Sequence, residues 1–216
     1  MSLVVAIKHK DRFVIGADKQ VSTGLNKDHT AIKLWTLSEL PDAVMGSVGT
    51  IRAMQVIQYS DIIDKNCFGE EITTEFIVKS LVPTIIATLE GNGVECSEGD
   101  EKKSIKYMPN SFIFAIKDKA WLIWNDLSVT EITDAMAIGS GSDIAKGVLY
   151  ATKDKDPFSR IVTCIDAAAE ATLYVDDGID LLATKVYSDD EKLIKKALGI
   201  ELTEEKKKAK KKVSKK

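Results

Sequence analysis

The chain opens with short apolar runs rich in β-branched residues, and polar turns separate these runs. Residues 3–7 and 12–17 flank the polar turn at 9–11, a pattern that predicts a β-hairpin with one buried face. Further strands, interrupted by a polar loop at 26–29, are predicted over residues 20–24, 32–37 and 43–45. The first part of the chain is therefore expected to form a sheet.

After residue 50 the apolar positions change to the period of a helix. One face of a first helix would carry Ile51, Met54 and Ile57. A second set of apolar residues recurs at the same period over residues 76–89, which predicts a second helix that packs on the first and is kinked at Pro83. The polar stretch at 90–110 is predicted to be an exposed excursion.

The rest of the chain repeats the order of strands followed by helices. Strands are predicted over residues 111–116, 120–124 and 129–132, with another ending at 138. Two helices are expected next, one capped by Ser142 or Asp143 and one running from Pro157 to about residue 174. The chain would end in a last strand at 181–187 and a short helix after a capping box at 188–191. This order predicts a four-layer αββα sandwich of the α+β class.

Composition favours a single domain with a charged tail. The 216 residues are 44% hydrophobic and 29% charged, enough for one well-buried core and too few for two large ones. We therefore predict one domain over residues 1–200 and a lysine-rich, disordered tail over 201–216. The formal net charge is −3 although residues 206–216 are mostly lysine, so the rest of the chain is acidic. Composition therefore assigns no basic face to the folded part, and binding of nucleic acid is not expected.

The cysteine and histidine residues give no sign of a metal site or a disulfide framework. Cys67, Cys96 and Cys164 include no close pair, which favours a reducing, cytoplasmic location with no metal and no cofactor. No apolar run is long enough to span a bilayer, so membrane insertion is not expected. His9 and His29 lack any partner spacing and are predicted to be loop residues.

Five short blocks, in a fixed order, carry a resemblance to a known family. They are Ile-Gly-Ala-Asp-Lys-Gln at 15–20, Thr-Ala-Ile-Lys at 30–33, Met-Gly-Ser-Val-Gly at 45–49, Ala-Ile-Gly-Ser-Gly-Ser at 137–142 and Asp-Gly-Ile-Asp at 177–180. Together they resemble the proteasome β-subunit family, including its HslV-type bacterial peptidases. The resemblance extends from about residue 2 to 187 and leaves out the excursion at 90–110 and the tail.

The resemblance implies an N-terminal nucleophile hydrolase that cuts peptide bonds of unfolded polypeptides. The first residue of the mature chain is the nucleophile in such enzymes, and the motif places Ser2 there once Met1 is removed. The family normally carries threonine at this position. Serine supplies the same hydroxyl without the methyl group that restricts its rotamer. The free α-amine would titrate near roughly 7.7–8.0 and could accept the hydroxyl proton.

The resemblance also gives supporting catalytic roles to Asp18, Lys33, Gly46, Ser140 and Gly141. The charge of Lys33 would favour the anionic form of the nucleophile, and Asp18 would hold that ammonium in place. Gly46 would donate its N–H to the oxyanion, a contribution of roughly 3–4 kcal/mol at such a position. Ser140 and the N–H of Gly141 would hold the α-amine.

Substrate binding and assembly are expected from the same resemblance. The pocket for the residue before the scissile bond would be lined by Val21, Ala31, Trp35, Val44 and Val48, an apolar set that favours apolar side chains. The family forms stacked six- or seven-membered rings, so a homo-oligomeric ring is expected. An ATPase unfoldase or a proteasome α-like ring is the expected partner.

Two other functions stay open from the sequence. The chain could be a proteasome-fold subunit that assembles without cutting. Archaeal β subunits carry an Asp and a Ser that assist the nucleophile, and Thr172 and Val175 stand at those places here. HslV-type peptidases also lack this pair, so its absence does not decide between the two functions. An N-terminal nucleophile amidase that acts on a small amide is a third alternative, against which the absence of a long substrate domain argues.

Overall fold

The computed structural model describes residues 2–23, 26–63, 72–96 and 106–200. The strands are β1 (Leu3–His9), β2 (Arg12–Asp18), β3 (Val21–Thr23), β4 (Asn26–Asp28), β5 (Leu34–Leu37), β6 (Leu40–Val48), β7 (Ser111–Ile116), β8 (Lys119–Ile123), β9 (Val129–Glu131), β10 (Ala135–Gly139) and β11 (Ile179–Ala183). The helices are α1 (Ile51–Gln58), α2 (Thr74–Phe76), α3 (Val82–Gly91), α4 (Ser142–Ala151), α5 (Pro157–Ala171) and α6 (Asp190–Ala197), with a π-helical turn, Ile77–Leu81, between α2 and α3. The predicted tail lies outside the described residues.

The first sheet has the antiparallel order β10-β1-β2-β11. The predicted hairpin of β1 and β2 is confirmed, and Lys10 turns it with a φ of 59°. The register places Leu3 opposite Gly139 in β10 and Asp18 opposite Ile179 in β11. The start of the chain, the end of β2 and the end of β10 therefore meet at one end of this sheet.

The second sheet has the antiparallel order β5-β6-β7-β8-β9. It contains the predicted hairpin of β7 and β8, which is confirmed. The polar loop predicted at 26–29 instead contributes β4, which pairs with β3 as a separate two-stranded ribbon. Asn and Asp are poor strand formers, so pairing with β3 overrides the local preference here.

Three hydrophobic clusters hold these elements together, and strand alternation assigns each side chain to its cluster. Along β1, Val4 and Ala6 pack against residues of the second sheet, such as Val44 and Ile113. The alternate residues Leu3, Val5 and Ile7 pack with residues of α4 and α5, including Leu149, Phe158 and Ile165. On the second sheet, Met45 and Phe114 pack with residues of α1 and α3. The mixed α and β composition with two antiparallel sheets is thus as the sequence predicts.

Several local predictions are wrong. The excursion at 90–110 is not wholly exposed, because Val94, Cys96 and Met108 are buried in the cluster under α1 and α3. Residues 97–105 of that stretch lie outside the described residues. The capping box at 188–191 does not form, since Asp189 caps α6 without a side-chain hydrogen bond.

Of the two predicted helix starts after β10, the first is wrong and the second is confirmed. Gly141 is the N-cap of α4, where Ser142 or Asp143 was expected. Asp156 caps α5 through Ser159, as the Asp-Pro sequence predicts. The irregularity in the helix near Pro83 is the π-helical turn Ile77–Leu81, which ends before the proline. No described helix is long and apolar enough to cross a membrane.

A buried ion pair attaches α6 to the first sheet. Arg12 of β2 is 1% exposed and makes a two-pronged contact with Asp190, in which Nη2 donates to Oδ1 at 2.6 Å and Nη1 donates to Oδ2. The same carboxylate accepts the N–H of Tyr187 at 2.8 Å, and the Tyr187 ring lies 4.1 Å from the guanidinium carbon. These contacts satisfy a charge pair that would otherwise be costly to bury.

The variant Asp190→Asn should lower the free energy of unfolding by about 3 kcal/mol, because it leaves the Arg12 guanidinium buried without a compensating charge. Asp189 is the matched control, since it is exposed and caps α6 with no side-chain bond. Asp189→Asn should change the stability by less than about 0.5 kcal/mol. Urea unfolding of both variants measures the difference, and equal stabilities would contradict the importance of this pair.

Candidate active site

The N-terminal end of β1 is held by the carboxylate at the end of β2. Ser2 is 3% exposed, and Leu3, the next residue, donates its N–H to Asp18 Oδ1 at 2.7 Å. The antiparallel pairing of β1 with β2 brings these residues together across fifteen positions of sequence. A side-chain carboxylate therefore fixes the backbone directly beside Ser2.

Asp18 also forms an ion pair with a buried lysine. Lys33 Nζ lies 2.8 Å from Asp18 Oδ1, and the two side chains are 2% and 0% exposed. The other carboxylate oxygen, Oδ2, accepts the N–H of Gln20 at 3.1 Å. Burial lowers the pKa of Lys33, and the charge of Asp18 opposes that change. Burial raises the pKa of Asp18, and Lys33 together with the two backbone N–H groups opposes it.

The end of β10 holds the other side of Ser2. The N–H of Ser2 donates to Ser140 Oγ at 3.1 Å, and that hydroxyl donates to the carbonyl oxygen of Ser2 at 3.3 Å. Gly139 has a φ of +102°, and a Cβ there would lie 2.1 Å from the Ser2 carbonyl oxygen. Only glycine gives both the backbone conformation and the space at this position.

Gly141 and its neighbours pack the end of β10 onto α5. A Cβ on Gly141 would lie 3.0 Å from Ala168 Cβ and from Val175 Cγ2. The carbonyl oxygen of Gly141 accepts the N–H of Ala145 in α4. These contacts support the segment that carries Ser140. The predicted use of the Gly141 N–H near the α-amine stays a prediction.

Gly46 lies in β6 and faces Val4 of the first sheet. A Cβ there would lie 2.8 Å from Val4 Cγ1, so the position must be small. Its neighbour Ser47 donates an N–H to the carbonyl oxygen of Lys33 at 2.9 Å. Because successive residues of a strand direct their amides to opposite edges, the N–H of Gly46 faces Ile113 in β7. The N–H of Gly46 would have to leave this pairing to bind an oxyanion, and its role as an oxyanion donor stays a prediction.

Comparison with solved structures places this arrangement in a known fold. BPH of Thiobacillus denitrificans is 18% identical, with a TM-score of 0.65 over 87% of this chain and 100% of that chain. Its complex with epoxomicin is 16% identical, with a TM-score of 0.63 over 86% and 99%. Eukaryotic HslV from Trypanosoma brucei is 18% identical, with a TM-score of 0.58 over 84% and 98%. The chain has the HslV- and proteasome-type fold. No family model and no curated protein matches the sequence.

The HslV-type fold confirms the resemblance predicted from the sequence at the level of architecture. It is a fold of the N-terminal nucleophile hydrolase type. Ser2, Asp18, Lys33 and Ser140 meet at that point, linked by the hydrogen bonds described above. Identities below 20% support a shared fold only, so the chemistry of this chain must be inferred from its own residues.

The predicted pocket residues are not gathered in one place. Trp35 packs in the outer cluster with α1 and α3, whereas Val44 packs between the two sheets. Val48 contacts the same inter-sheet cluster as Val44. Val21 lies in the β3–β4 ribbon, and Ala31 lies in the loop before Lys33 and is 9% exposed. Trp35 and Val44 therefore lie on opposite faces of the second sheet, and the lining of the substrate pocket stays a prediction.

His29, which the sequence predicts to lie in a loop, forms a hydrogen bond with a residue that is distant in sequence. His29 Nδ1 is hydrogen-bonded to Asp176 Oδ2, and the two residues are 147 positions apart. They contribute to a cavity of about 600 Å³ beside α5 that Asp166 and Glu170 also line. No group of three metal-binding side chains occurs within the part of the chain that the structure describes. The separation in sequence explains why no local pattern predicts this pair.

The variant Gly139→Ala should destabilise the protein by about 3 kcal/mol or more, since the methyl group meets the Ser2 carbonyl oxygen and φ is positive. Gly147 is the control, because it lies in α4 with nothing within 4 Å of an added Cβ. Gly147→Ala should gain about 0.5–1 kcal/mol from helix propensity. Chemical unfolding compares the two, and a neutral Gly139→Ala would disprove the tight fit around Ser2.

Proposed function

We propose that this chain is an N-terminal nucleophile peptidase subunit that hydrolyses peptide bonds of unfolded polypeptides. The observation that carries the proposal is the buried Lys33–Asp18 pair, whose carboxylate also binds the Leu3 N–H beside Ser2. A lysine that is 2% exposed has a high desolvation cost, and here the carboxylate that compensates this cost also binds the backbone next to Ser2. The HslV-type fold supports the same function.

Removal of Met1 would begin the reaction by giving Ser2 a free α-amine. That amine has an ordinary pKa of roughly 7.7–8.0, so a neutral fraction is present at neutral pH. The neutral amine takes the proton of Ser2 Oγ, directly or through one water, while Ser140 Oγ accepts an N–H of the amine. Ser2 Oγ then attacks the carbonyl carbon of the scissile peptide bond.

Lys33 would support the attack by its charge, and its lowered pKa also suits it to a proton transfer. The negative charge on the carbonyl oxygen requires an N–H donor. Gly46 is the proposed donor, and its N–H, which faces β7, would have to turn toward the site to serve in this role. Collapse of the intermediate breaks the C–N bond, and the ammonium of Ser2 gives its proton to the leaving amine. Water, activated by the same α-amine, then hydrolyses the acyl ester and restores Ser2.

The wider expectations belong to the same proposal. We infer a single domain with four layers in the order αββα, which the three hydrophobic clusters support. Stacked homo-oligomeric rings, an ATPase unfoldase or α-like partner ring and a cytoplasmic location are expected from the family resemblance and stay proposals. The apolar substrate pocket also stays a proposal. Its predicted lining residues are Val21, Ala31, Trp35, Val44 and Val48, but Trp35 and Val44 lie on opposite faces of the second sheet, so only one of these two can line it.

An assembling subunit without activity is the second candidate, and two observations favour it. The N–H of Gly46 faces β7, so no oxyanion donor is preset there. Val175 is 3% exposed and packs in the cluster under α5, so it offers no polar group where archaeal subunits have a serine. Activity measurements separate the two candidates.

Hydrolysis of fluorogenic peptides tests the proposal directly. The form without Met1, verified by intact-mass measurement, should cleave peptides with an apolar residue before the scissile bond. Ser2→Ala and Lys33→Ala should each lower kcat/KM by about 10²-fold or more, because they remove the nucleophile and its neighbouring charge. Ser188→Ala and Lys79→Ala alter exposed residues outside the site and should retain the activity.

The outcome also decides between the two candidates. Activity that survives in Ser2→Ala, or a protein that keeps Met1 and still cleaves, would contradict the N-terminal nucleophile. A form without Met1 that assembles and cleaves no peptide would favour the inactive subunit. Preference for a charged residue before the scissile bond would contradict only the apolar pocket.

A further inference from the structure

A second side-chain pair lies beside the Asp18–Lys33 pair and has no part in the proposed reaction. His29 Nδ1 is hydrogen-bonded to Asp176 Oδ2. The side chain of Asp176 is 8% exposed, whereas that of His29 is 62% exposed. A solvent-exposed imidazole is thus hydrogen-bonded to a carboxylate that is largely buried.

The backbone fixes Asp176 without help from His29. Its Oδ1 accepts the N–H of Gly178 at 2.9 Å and the N–H of Lys19 at 3.3 Å. Lys19 directly follows Asp18, and Gly178 directly precedes β11, which pairs with β2. The carboxylate is therefore placed accurately relative to Asp18, and its second oxygen is left to bind the imidazole.

His29 begins the short segment that ends at Lys33. Two backbone hydrogen bonds hold the segment. The Ala31 N–H donates to the Lys19 carbonyl oxygen at 3.2 Å, and the Ser47 N–H donates to the Lys33 carbonyl oxygen at 2.9 Å. Apolar packing of the segment is confined to the small side chain of Ala31, which is 9% exposed, because Ile32 is 50% exposed. The position of this segment therefore depends on a few polar contacts, and the bond of His29 is the one at its start.

The charge of Asp176 also reaches the site. Burial lowers the pKa of Lys33, and the negative charges of Asp18 and Asp176 both oppose that change. Asp176 is therefore close enough to act on Lys33 electrostatically while it holds the segment that carries this lysine. Geometry and charge thus connect the pair to the same side chain.

We propose that His29 and Asp176 are positioning residues, which hold segment 29–33 so that Lys33 reaches Asp18 in the geometry needed for peptide hydrolysis. The role in catalysis rests on the proposed peptidase function. The role in ordering the segment does not. The other charged residues around the same cavity are Lys27, Asp166, Glu170 and Asp177.

Kinetics of the form without Met1 test the catalytic part. His29→Ala and Asp176→Asn should lower kcat by about fivefold with KM within twofold, because Lys33 is displaced while peptide binding is retained. His29→Asn places an amide N–H near the position of Nδ1 and should keep at least half of the activity. Asp177→Asn, at an exposed neighbouring carboxylate, and His9→Ala are the controls and should leave kcat unchanged.

Amide hydrogen exchange of the intact protein tests the ordering of the segment without any need for activity. Exchange in a peptide that covers residues 29–33 should become about tenfold faster in His29→Ala and Asp176→Asn and stay unchanged in Asp177→Asn. Unchanged exchange in both variants overturns the proposal, whatever kcat does. Should Asp176→Asn fail to fold, the exposed His29 gives the decisive variant.

The two measurements separate failure of this proposal from failure of the proposed function. Faster exchange in a protein that cleaves no peptide supports the ordering role and contradicts the peptidase. An active peptidase with unchanged kcat and unchanged exchange in His29→Ala overturns the positioning role alone.

Discussion

The buried ion pair between Lys33 and Asp18 is the interaction on which the geometry of the site depends. Both side chains are almost completely removed from water, so each charge requires the other, and loss of one partner would leave an uncompensated charge. Asp18 meets this requirement by accepting three N–H groups, from Lys33 Nζ, Leu3 and Gln20. The pair thereby joins the start of β1, the end of β2 and the segment before β5.

Close backbone approach is the second constraint, and it follows from the first. The start of β1 lies between the end of β10, which binds Ser2 through Ser140, and the end of β2, which carries Asp18. Gly139 leaves room for the carbonyl of Ser2, and Gly46 leaves room for Val4. Ser140 binds the N–H and the carbonyl oxygen of Ser2, and Asp18 binds the N–H of Leu3. A backbone held in this way suits a nucleophile, because it lowers the entropic cost of orienting Ser2 for the reaction.

The sequence predicts the elements well where the hydrophobic period is regular. The hairpin of β1 and β2 and the helix after Asp156 follow from patterns that span only a few residues. The β3–β4 ribbon and the missing capping bond of α6 do not, because pairing and packing there override local preference. Met108 is buried for a similar reason, since distant residues cover it.

The site is predictable from sequence only where a motif marks it. The resemblance identifies Ser2, Asp18, Lys33 and Ser140 as site residues. In the structure, hydrogen bonds bring them together at the N-terminal end of β1. The bond between His29 and Asp176 joins residues 147 positions apart, and no spacing could indicate it. The direction of the Gly46 amide depends on strand register, which a motif does not specify.

Acyl transfer to Ser2 is the most direct measurement of the central claim. The form without Met1 would be mixed with an activated peptide ester, quenched in acid and mapped by mass spectrometry. The account predicts one acyl group, located on the N-terminal peptide that contains Ser2, and much less of it in Lys33→Ala. An adduct on another residue, or none in a correctly folded protein without Met1, would contradict the account.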